Sequence, residues 1–147
     1  MEYTIGEIAK KFNLTISQIR FYDKEGLLPK IKRVNGIRKF TDSDIETIFL
    51  IECLKKADLQ LKDIKQFIEW TKEGDSSIEK RLNFFLMQRE KTKAKIAAME
   101  KALCMVEYKC WYYEMAIQDQ SEERVRSLSV EELPEEYKKI KNHIQSM

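Results

Sequence analysis

The sequence predicts a mainly α-helical fold: a small head of short helices and one β-hairpin, then a helical pair and a long coiled-coil helix. Turn-forming residues are scarce, since the 147 residues include only 4 Gly and 2 Pro, and this disfavours a turn-rich all-β fold. The dipeptide Asn35-Gly36 stands between two β-compatible stretches, which is a strong hairpin signal. From Ile78 onward, apolar residues recur in alternating steps of four and three, interrupted only by Arg89 and Thr92, as in a coiled coil.

The head begins with two short helices. Thr4 and Glu7 have the spacing of a capping box, which predicts that the first helix starts directly after Thr4. Thr15 can cap a second helix, which Gly26 ends and Pro29 prevents from continuing. Two short helices joined by a tight turn at positions 13–14 form a helix-turn-helix unit.

The predicted hairpin pairs residues 31–34 with residues 37–40, and both arms carry cations. It would project as a basic wing beside the second helix, which makes the head a winged helix-turn-helix. Residues 1–40 hold nine Lys and Arg but four Asp and Glu, a formal charge of +5, whereas the rest of the chain carries −3. A basic head on a mildly acidic body suggests that the head meets a polyanion. On charge alone, a lysine-rich solvated surface is the alternative.

Three helices are expected after the hairpin. The first is capped by Asp42 or Ser43 and ends at about 56, the second runs from about 61 to 72, and the third runs from 78 to about 120. Forty residues at 1.5 Å per residue give the last helix a length of about 60 Å. Its apolar seam is too long to be buried by the head, and no second helix of comparable length exists for an intrachain hairpin. We therefore expect a homodimeric coiled coil. The dimerisation residues expected along the seam are Leu82, Phe85, Ile96, Met99, Leu103, Val106, Cys110 and Tyr113.

These patterns predict three segments. Residues 1–75 form the winged helix-turn-helix DNA-binding domain with its connecting helices, and residues 76–120 form the coiled-coil dimerisation helix. Residues 121–147 form a charged C-terminal tail in which Pro134 can start a last short helix.

Several function classes are disfavoured. No Ser/His/Asp set, phosphate loop or catalytic carboxylate pair is apparent, so we expect no enzyme. No apolar run approaches the roughly 20 residues that span a bilayer, and the N-terminal residues do not resemble a secretory signal. We therefore expect no membrane partner, a cytoplasmic location, and cysteines that remain thiols.

Neither a metal nor a cofactor is expected. Cys104 and Cys110 lie six residues apart on one helix, which separates their directions by about 120°. They cannot share one metal ion within a chain. His143 stands alone in the tail and is expected to be a surface residue.

The residues Ile5-Gly6-Glu7-Ile8-Ala9, the stretch from 19 to 29 and the wing at 33–40 together resemble the opening of MerR-type transcriptional regulators. The resemblance covers about residues 3–120. It implies a homodimer, joined by an antiparallel coiled coil, that binds double-stranded DNA at a pseudo-palindromic promoter operator. It also implies that an effector makes the dimer deform the operator, which affects RNA polymerase indirectly.

The resemblance implies a set of DNA contacts. The residues expected to face the major groove or its phosphates are Thr15, Ser17, Gln18 and Arg20, and the expected wing cations are Arg33, Arg38 and Lys39. Tyr22 is expected to contact the DNA backbone, with a core aromatic residue as the alternative, because Phe21 and Tyr22 cannot both be buried on one helix face.

The sequence offers two candidate sites for the effector. The segments 50–54, 57–59 and 71–75 are similar to the branch of this family that responds to aldehydes and related electrophiles. That similarity implies that Cys53 is a possible effector thiol, and a buried inert thiol is the alternative. A second possible effector site is an aromatic pocket that includes Trp70 and Trp111, for which plain core packing is the alternative.

A rival interpretation from another class is a coiled-coil helical adaptor whose head binds protein partners rather than DNA. The wing discriminates between the two, since an adaptor has no use for cations around Asn35-Gly36.

Overall fold

The computed structural model describes residues 1–29 and 31–145, and the chain divides into two compact units, residues 1–88 and 89–147. The fold is mainly α-helical with one small sheet, which confirms the predicted fold class. The first unit contains β1 Glu2–Tyr3, α1 Ile5–Phe12, α2 Ile16–Lys24, β2 Lys32–Val34, β3 Ile37–Thr41, α3 Asp42–Lys56, α4 Leu61–Lys72 and a 3₁₀ turn at Gly74–Ser77. The long helix α5 Ile78–Asp119 begins in this unit, and α6 Glu123–Ser127 and α7 Glu135–Gln145 follow it.

Local capping sets the start of the first two helices, as the sequence predicts. The backbone N–H of Thr4 donates to the Glu7 carboxylate at 2.7 Å, and the Thr4 hydroxyl accepts from the Glu7 N–H at 3.3 Å. Thr15 and Gln18 form the same reciprocal pair at 2.8 and 3.1 Å. Each pair satisfies backbone donors that a helix N-terminus would otherwise leave unpaired.

The wing is a three-stranded antiparallel sheet in the order β1-β3-β2. Asn35 and Gly36 both have positive φ, 51° and 76°, so the turn between β2 and β3 has the backbone that an Asn-Gly hairpin favours. Phe40 of β3 is fully buried and fastens the sheet to the head. The strand β1 was not predicted, because a strand of two residues is too short to show a periodic pattern.

The N-cap of α3 is one residue earlier than predicted. The sequence pointed to Asp42 or Ser43 as the cap, but Asp42 is already the first residue of the helix. Its N-cap is Thr41, whose N–H and hydroxyl both donate to the carboxylate of Asp44 at 2.8 and 2.9 Å. Asp44 is buried, so this carboxylate both closes the helix start and joins it to the end of β3.

The core of the first unit is assembled from every helix of the head. Ile8, Ile19, Ile48 and Ile64 are fully buried, one from each of α1 to α4. Phe84 of α5 packs against this core, so the first turns of the long helix belong to the head unit. The predicted segment boundaries, after residues 75 and 120, divide the chain by proposed role. They do not coincide with the boundary between the two compact units, which lies after residue 88, and they stay predictions.

The second unit is built on one face of α5. Tyr112 and Ala116 are buried against Val125 of α6, a helix that sequence analysis missed. Tyr137 of α7 lies with its ring centroid 5.6 Å from that of Tyr108 and 5.9 Å from that of Trp111. The start of α7 directly after Pro134 agrees with the predicted last helix.

Across residues 1–29 and 31–145, no helix has both the length and the apolar character needed to cross a membrane.

The buried cap makes a stability prediction. Asp44→Ala removes the acceptor for two Thr41 donors, so we expect it to lower the free energy of unfolding by about 1–2 kcal/mol. Glu46→Ala changes an exposed acid on the same helix and should leave that free energy within about 0.5 kcal/mol of the parent. Urea unfolding followed by circular dichroism at one protein concentration measures both. Equal effects of the two substitutions would contradict a role for the cap.

Candidate nucleic-acid interface

The helix α2 presents polar side chains to solvent because Ile19 and Tyr22 pack inward, although Ile16 and Phe21 are also exposed. Ile19 is fully buried in the head core, and this orients the remaining turns of the helix. The four candidate groove residues Thr15, Ser17, Gln18 and Arg20 are all exposed. Exposure on one short helix is the geometry that a recognition helix needs to reach base edges and phosphates.

Two of these four side chains also cap the helix. The Gln18 side-chain oxygen accepts from the Thr15 N–H at 2.8 Å and from the Thr15 hydroxyl at 3.2 Å. The amide NH₂ group of Gln18 takes no part in this pairing. Ser17 and Arg20 take no part in helix capping. Of the four candidate residues, Arg20 is the one with a long cationic side chain, which is exposed and available to contact a polyanion.

Tyr22 lies in the core, which corrects the prediction that it contacts the DNA backbone. Only 2% of the residue is exposed. Its hydroxyl donates to Glu52 at 2.6 Å and accepts from the ammonium of Lys55, both on α3. Burial and the hydrogen bond to Glu52 raise the pKa of Tyr22, while Lys55 opposes that rise. The ring therefore joins α2 to α3, and Phe21 takes the exposed position instead.

The two wing arginines are paired rather than free. Arg33 Nη2 and Arg38 Nε both donate to the same carboxylate oxygen of Asp23, each at 2.8 Å. Asp23 lies in the last turn of α2. In the sequence, Asp23 is only one of four acids in a basic region, and no local pattern signals its contact with the wing.

The other wing cations lie next to these arginines. Lys39 is half-buried, and Lys32 is exposed directly opposite it on β2. Lys32 is a candidate contact that the prediction left out, although the basic arms of the hairpin signalled it. Lys30 lies outside the described residues. The wing and α2 thus place cationic and hydrogen-bonding groups on neighbouring elements, which suits contacts to phosphates flanking a groove.

The seam of α5 is open in the single chain. All eight predicted dimerisation residues are exposed, from Phe85 at 36% to Met99 at 71%. The opposite face, which includes Tyr112 and Ala116, packs against the C-terminal helices. An apolar stripe of this length on a folded chain marks an interaction surface.

Cys53 is exposed, so the alternative of a buried inert thiol is wrong. It lines a surface pocket of about 480 Å³ together with apolar groups of Phe12, Leu14 and Phe49 and two lysines, Lys11 and Lys56. A reagent in solution can therefore reach this thiol, beside residues of both α1 and α3.

The aromatic residues proposed for a second effector site belong to two separate clusters. Trp70 packs edge-to-face on Phe84 in the first unit, with ring centroids 6.1 Å apart. Trp111 stacks on Tyr108 in the second unit at 6.0 Å. Each tryptophan thus has a packing role within its own unit, and an effector role for either stays a prediction.

Among the residues that the structure describes, no three His, Cys, Asp or Glu side chains group in a way that could hold a metal ion. Cys104 is half-buried and its thiol donates to the backbone oxygen of Glu136 at 3.6 Å, whereas Cys110 is exposed on the seam.

Comparison with known proteins places this architecture among regulators. Residues 3–69 match the family model described as MerR HTH family regulatory protein. The chain is 40% identical over 136 residues to an uncharacterized HTH-type transcriptional regulator of Haemophilus influenzae, covering 92% of this chain and 98% of that protein. It is 34% identical over 88 residues to the HTH-type transcriptional regulator AdhR of Bacillus subtilis, covering 59% of this chain and 63% of that protein.

Solved structures agree with the sequence comparison. The crystal structure of HiNmlR, described as a MerR family regulator lacking the sensor domain and bound to promoter DNA, superposes with a TM-score of 0.77 at 42% identity. The match covers 84% of this chain and 99% of that one.

Proposed function

This chain belongs to the MerR family of helix-turn-helix transcriptional regulators, and from that premise we propose that it binds a pseudo-palindromic promoter operator as a homodimer and deforms the DNA in response to an effector. Its relatives are transcriptional regulators and not enzymes. RNA polymerase would be affected indirectly, through the altered geometry of the promoter. The cytoplasm, where bacterial DNA lies, is the compartment in which such a protein would act.

The observation that carries the proposal is the pairing of an exposed polar face on α2 with a basic wing held beside it. Helix-turn-helix proteins use the second helix in the major groove and use flanking elements on the backbone. The related HiNmlR, with which this chain shares 42% identity, is bound to promoter DNA. Both points support DNA rather than a protein as the partner of the head.

The open seam of α5 supports a homodimer. An exposed run of apolar side chains at heptad spacing costs free energy in water, and a second identical helix offers a matching surface. Two heads joined in this way would read two half-sites, which is why a dimer goes with a pseudo-palindromic operator.

The exposed thiol of Cys53 supports an electrophile as the effector. It lies late in α3, and its neighbour Glu52 holds the hydroxyl of Tyr22 on α2. A group added at Cys53 would enter the pocket between α1 and α3 and press on that connection. The HTH-type transcriptional regulator AdhR is 34% identical to this chain over 88 residues, which agrees with the resemblance to the electrophile-responsive branch.

DNA binding should depend on salt and on specific cations. Each phosphate that the protein no longer neutralises should make the log–log salt slope shallower by about 0.9, and we expect this of Lys39→Ala. Arg20→Ala should cost roughly 1–3 kcal/mol of binding and change sequence preference if Arg20 reaches a base edge. Fluorescence anisotropy with a duplex from upstream of the protein's own gene and a scrambled duplex measures both effects. Lys139→Ala on α7 is the matched control, and indifference to salt and to both head substitutions would favour the protein-binding adaptor.

The dimer should depend on the seam. Leu103→Asp places a charge where an apolar partner is expected, and we expect monomers and loss of operator binding. Ala97→Asp introduces the same charge on the outward side of the same helix and should remain dimeric. Sedimentation velocity distinguishes the two, with circular dichroism as the check that each variant is folded. A Leu103→Asp variant that sediments as a dimer and binds DNA normally would place the interface elsewhere.

The effector response should depend on one of the three thiols. Cys53→Ser should keep operator binding within a few-fold but lose transcriptional induction by aldehydes or a diamide-like oxidant. Cys104→Ser and Cys110→Ser should keep induction. In vitro transcription from the bound promoter is the measurement, and normal induction in Cys53→Ser would direct attention to the aromatic residues around Trp70 and Trp111.

A further inference from the structure

We propose that Asp23 is a positioning residue of the DNA-binding surface: it bridges two wing arginines and orients them toward DNA. The inference rests on the proposed DNA-binding function and adds to it an acidic residue, whose charge by itself opposes binding to a polyanion.

The geometry is specific. One carboxylate oxygen of Asp23 accepts from Arg33 Nη2 on β2 and from Arg38 Nε on β3, each at 2.8 Å. The side chains of Asp23 and Arg38 are 17% and 21% exposed, whereas that of Arg33 is 52% exposed. Partial burial reduces solvent screening, so the Asp23–Arg38 pair is screened less than an exposed surface ion pair, and the Asp23–Arg33 pair is the more exposed of the two.

The strand register explains why a carboxylate is needed at this point. Arg33 and Arg38 are direct cross-strand partners in the β2–β3 ladder. Like charges directly opposite each other destabilise an antiparallel pair. Asp23 lies between the two guanidinium groups and offsets their repulsion, which lets the wing carry two adjacent cations.

The bridge leaves both arginines able to bind phosphate. A guanidinium has five N–H donors, and the hydrogen bonds to Asp23 use one nitrogen of each. The remaining donors are held in a fixed orientation. Because Asp23 belongs to α2, the bridge also fastens the wing to the helix proposed to enter the groove, and this lowers the ordering cost of binding.

A positioning role for Asp23 and a purely electrostatic role predict opposite changes in DNA affinity when the carboxylate is removed. Removing a carboxylate near a polyanion should strengthen binding if charge alone matters. Removing a residue that orients two arginines should weaken binding. The substitution Asp23→Asn keeps the shape of the side chain but replaces the carboxylate with a neutral amide oxygen, which is a weaker acceptor for two guanidinium groups and leaves their repulsion uncompensated. It therefore separates the two effects. Glu25→Gln is the matched control, since Glu25 lies two residues away and forms no ion pair within the described part of the chain.

The first experiment measures affinity for duplex DNA from upstream of the protein's own gene, and for a scrambled duplex, at fixed salt. We expect Asp23→Asn to weaken binding about three- to tenfold, while Glu25→Gln leaves binding unchanged or tightens it. Both variants should remain fully folded at the assay temperature, with only a small decrease in the Tm of Asp23→Asn, and thermal unfolding followed by circular dichroism checks that loss of fold is not the cause. Tighter binding by Asp23→Asn would overturn the inference.

The second experiment tests whether Asp23 acts through the arginines. In an Arg33→Ala/Arg38→Ala background, Asp23→Asn should cause no further weakening, since there is nothing left to orient. Weakening that persists in this background would also overturn the inference.

A third measurement needs no DNA. The Arg38 Nε–H signal in ¹⁵N NMR should exchange slowly with solvent in the parent and quickly in Asp23→Asn, and equal exchange in both would refute the bridge itself. A parent protein that binds neither duplex, with a slow Arg38 signal, would mean that the bridge exists and that the DNA-binding proposal has failed.

Discussion

The head of this protein depends on how the inner face of α2 is buried. Ile19 and Tyr22 lie in the core, and the Tyr22 hydroxyl is held by Glu52 and Lys55 of α3. These contacts fix the rotation of a helix of only nine residues, which would not be stable alone. Once that rotation is set, the polar residues of α2 face outward, and Asp23 in its last turn meets the arginines of the wing. The candidate interface is therefore a consequence of core packing.

The long helix meets a different constraint on each of its faces. One face of its C-terminal half buries Tyr112 and Ala116 with the help of α6, and ring contacts with Tyr137 bring α7 against it. Within the described residues, nothing covers the seam face. Burying a fully exposed large apolar side chain contributes about 1.5–3 kcal/mol, and association has its own cost, so only part of that energy is available from these partly exposed side chains. The C-terminal helices thus cover one face of α5, while the seam face stays exposed in the single chain, as the proposed homodimer requires.

The three cysteines differ in exposure and in the residues that surround them. Cys53 opens into a pocket on the head, Cys104 is half-buried beside α7, and Cys110 lies on the seam. Cys53 directly follows Glu52, whose carboxylate accepts the Tyr22 hydroxyl, and it lies one helical turn after exposed Phe49. The proposed thiol modification would therefore fall next to the side chains that join α2 to α3.

Features that depend only on residues close together in the chain were predictable from the sequence alone. The caps at Thr4 and Thr15, the turn at Asn35-Gly36 and the span of α5 all follow from short-range hydrogen bonding, backbone preference and periodicity. The tertiary structure decided the burial of Tyr22, the bridge from Asp23 to Arg33 and Arg38, and the exposure of Cys53. It also placed Trp70 and Trp111 in different units. These features depend on contacts between residues far apart in the chain. A local sequence pattern does not predict which distant side chains will pack against each other.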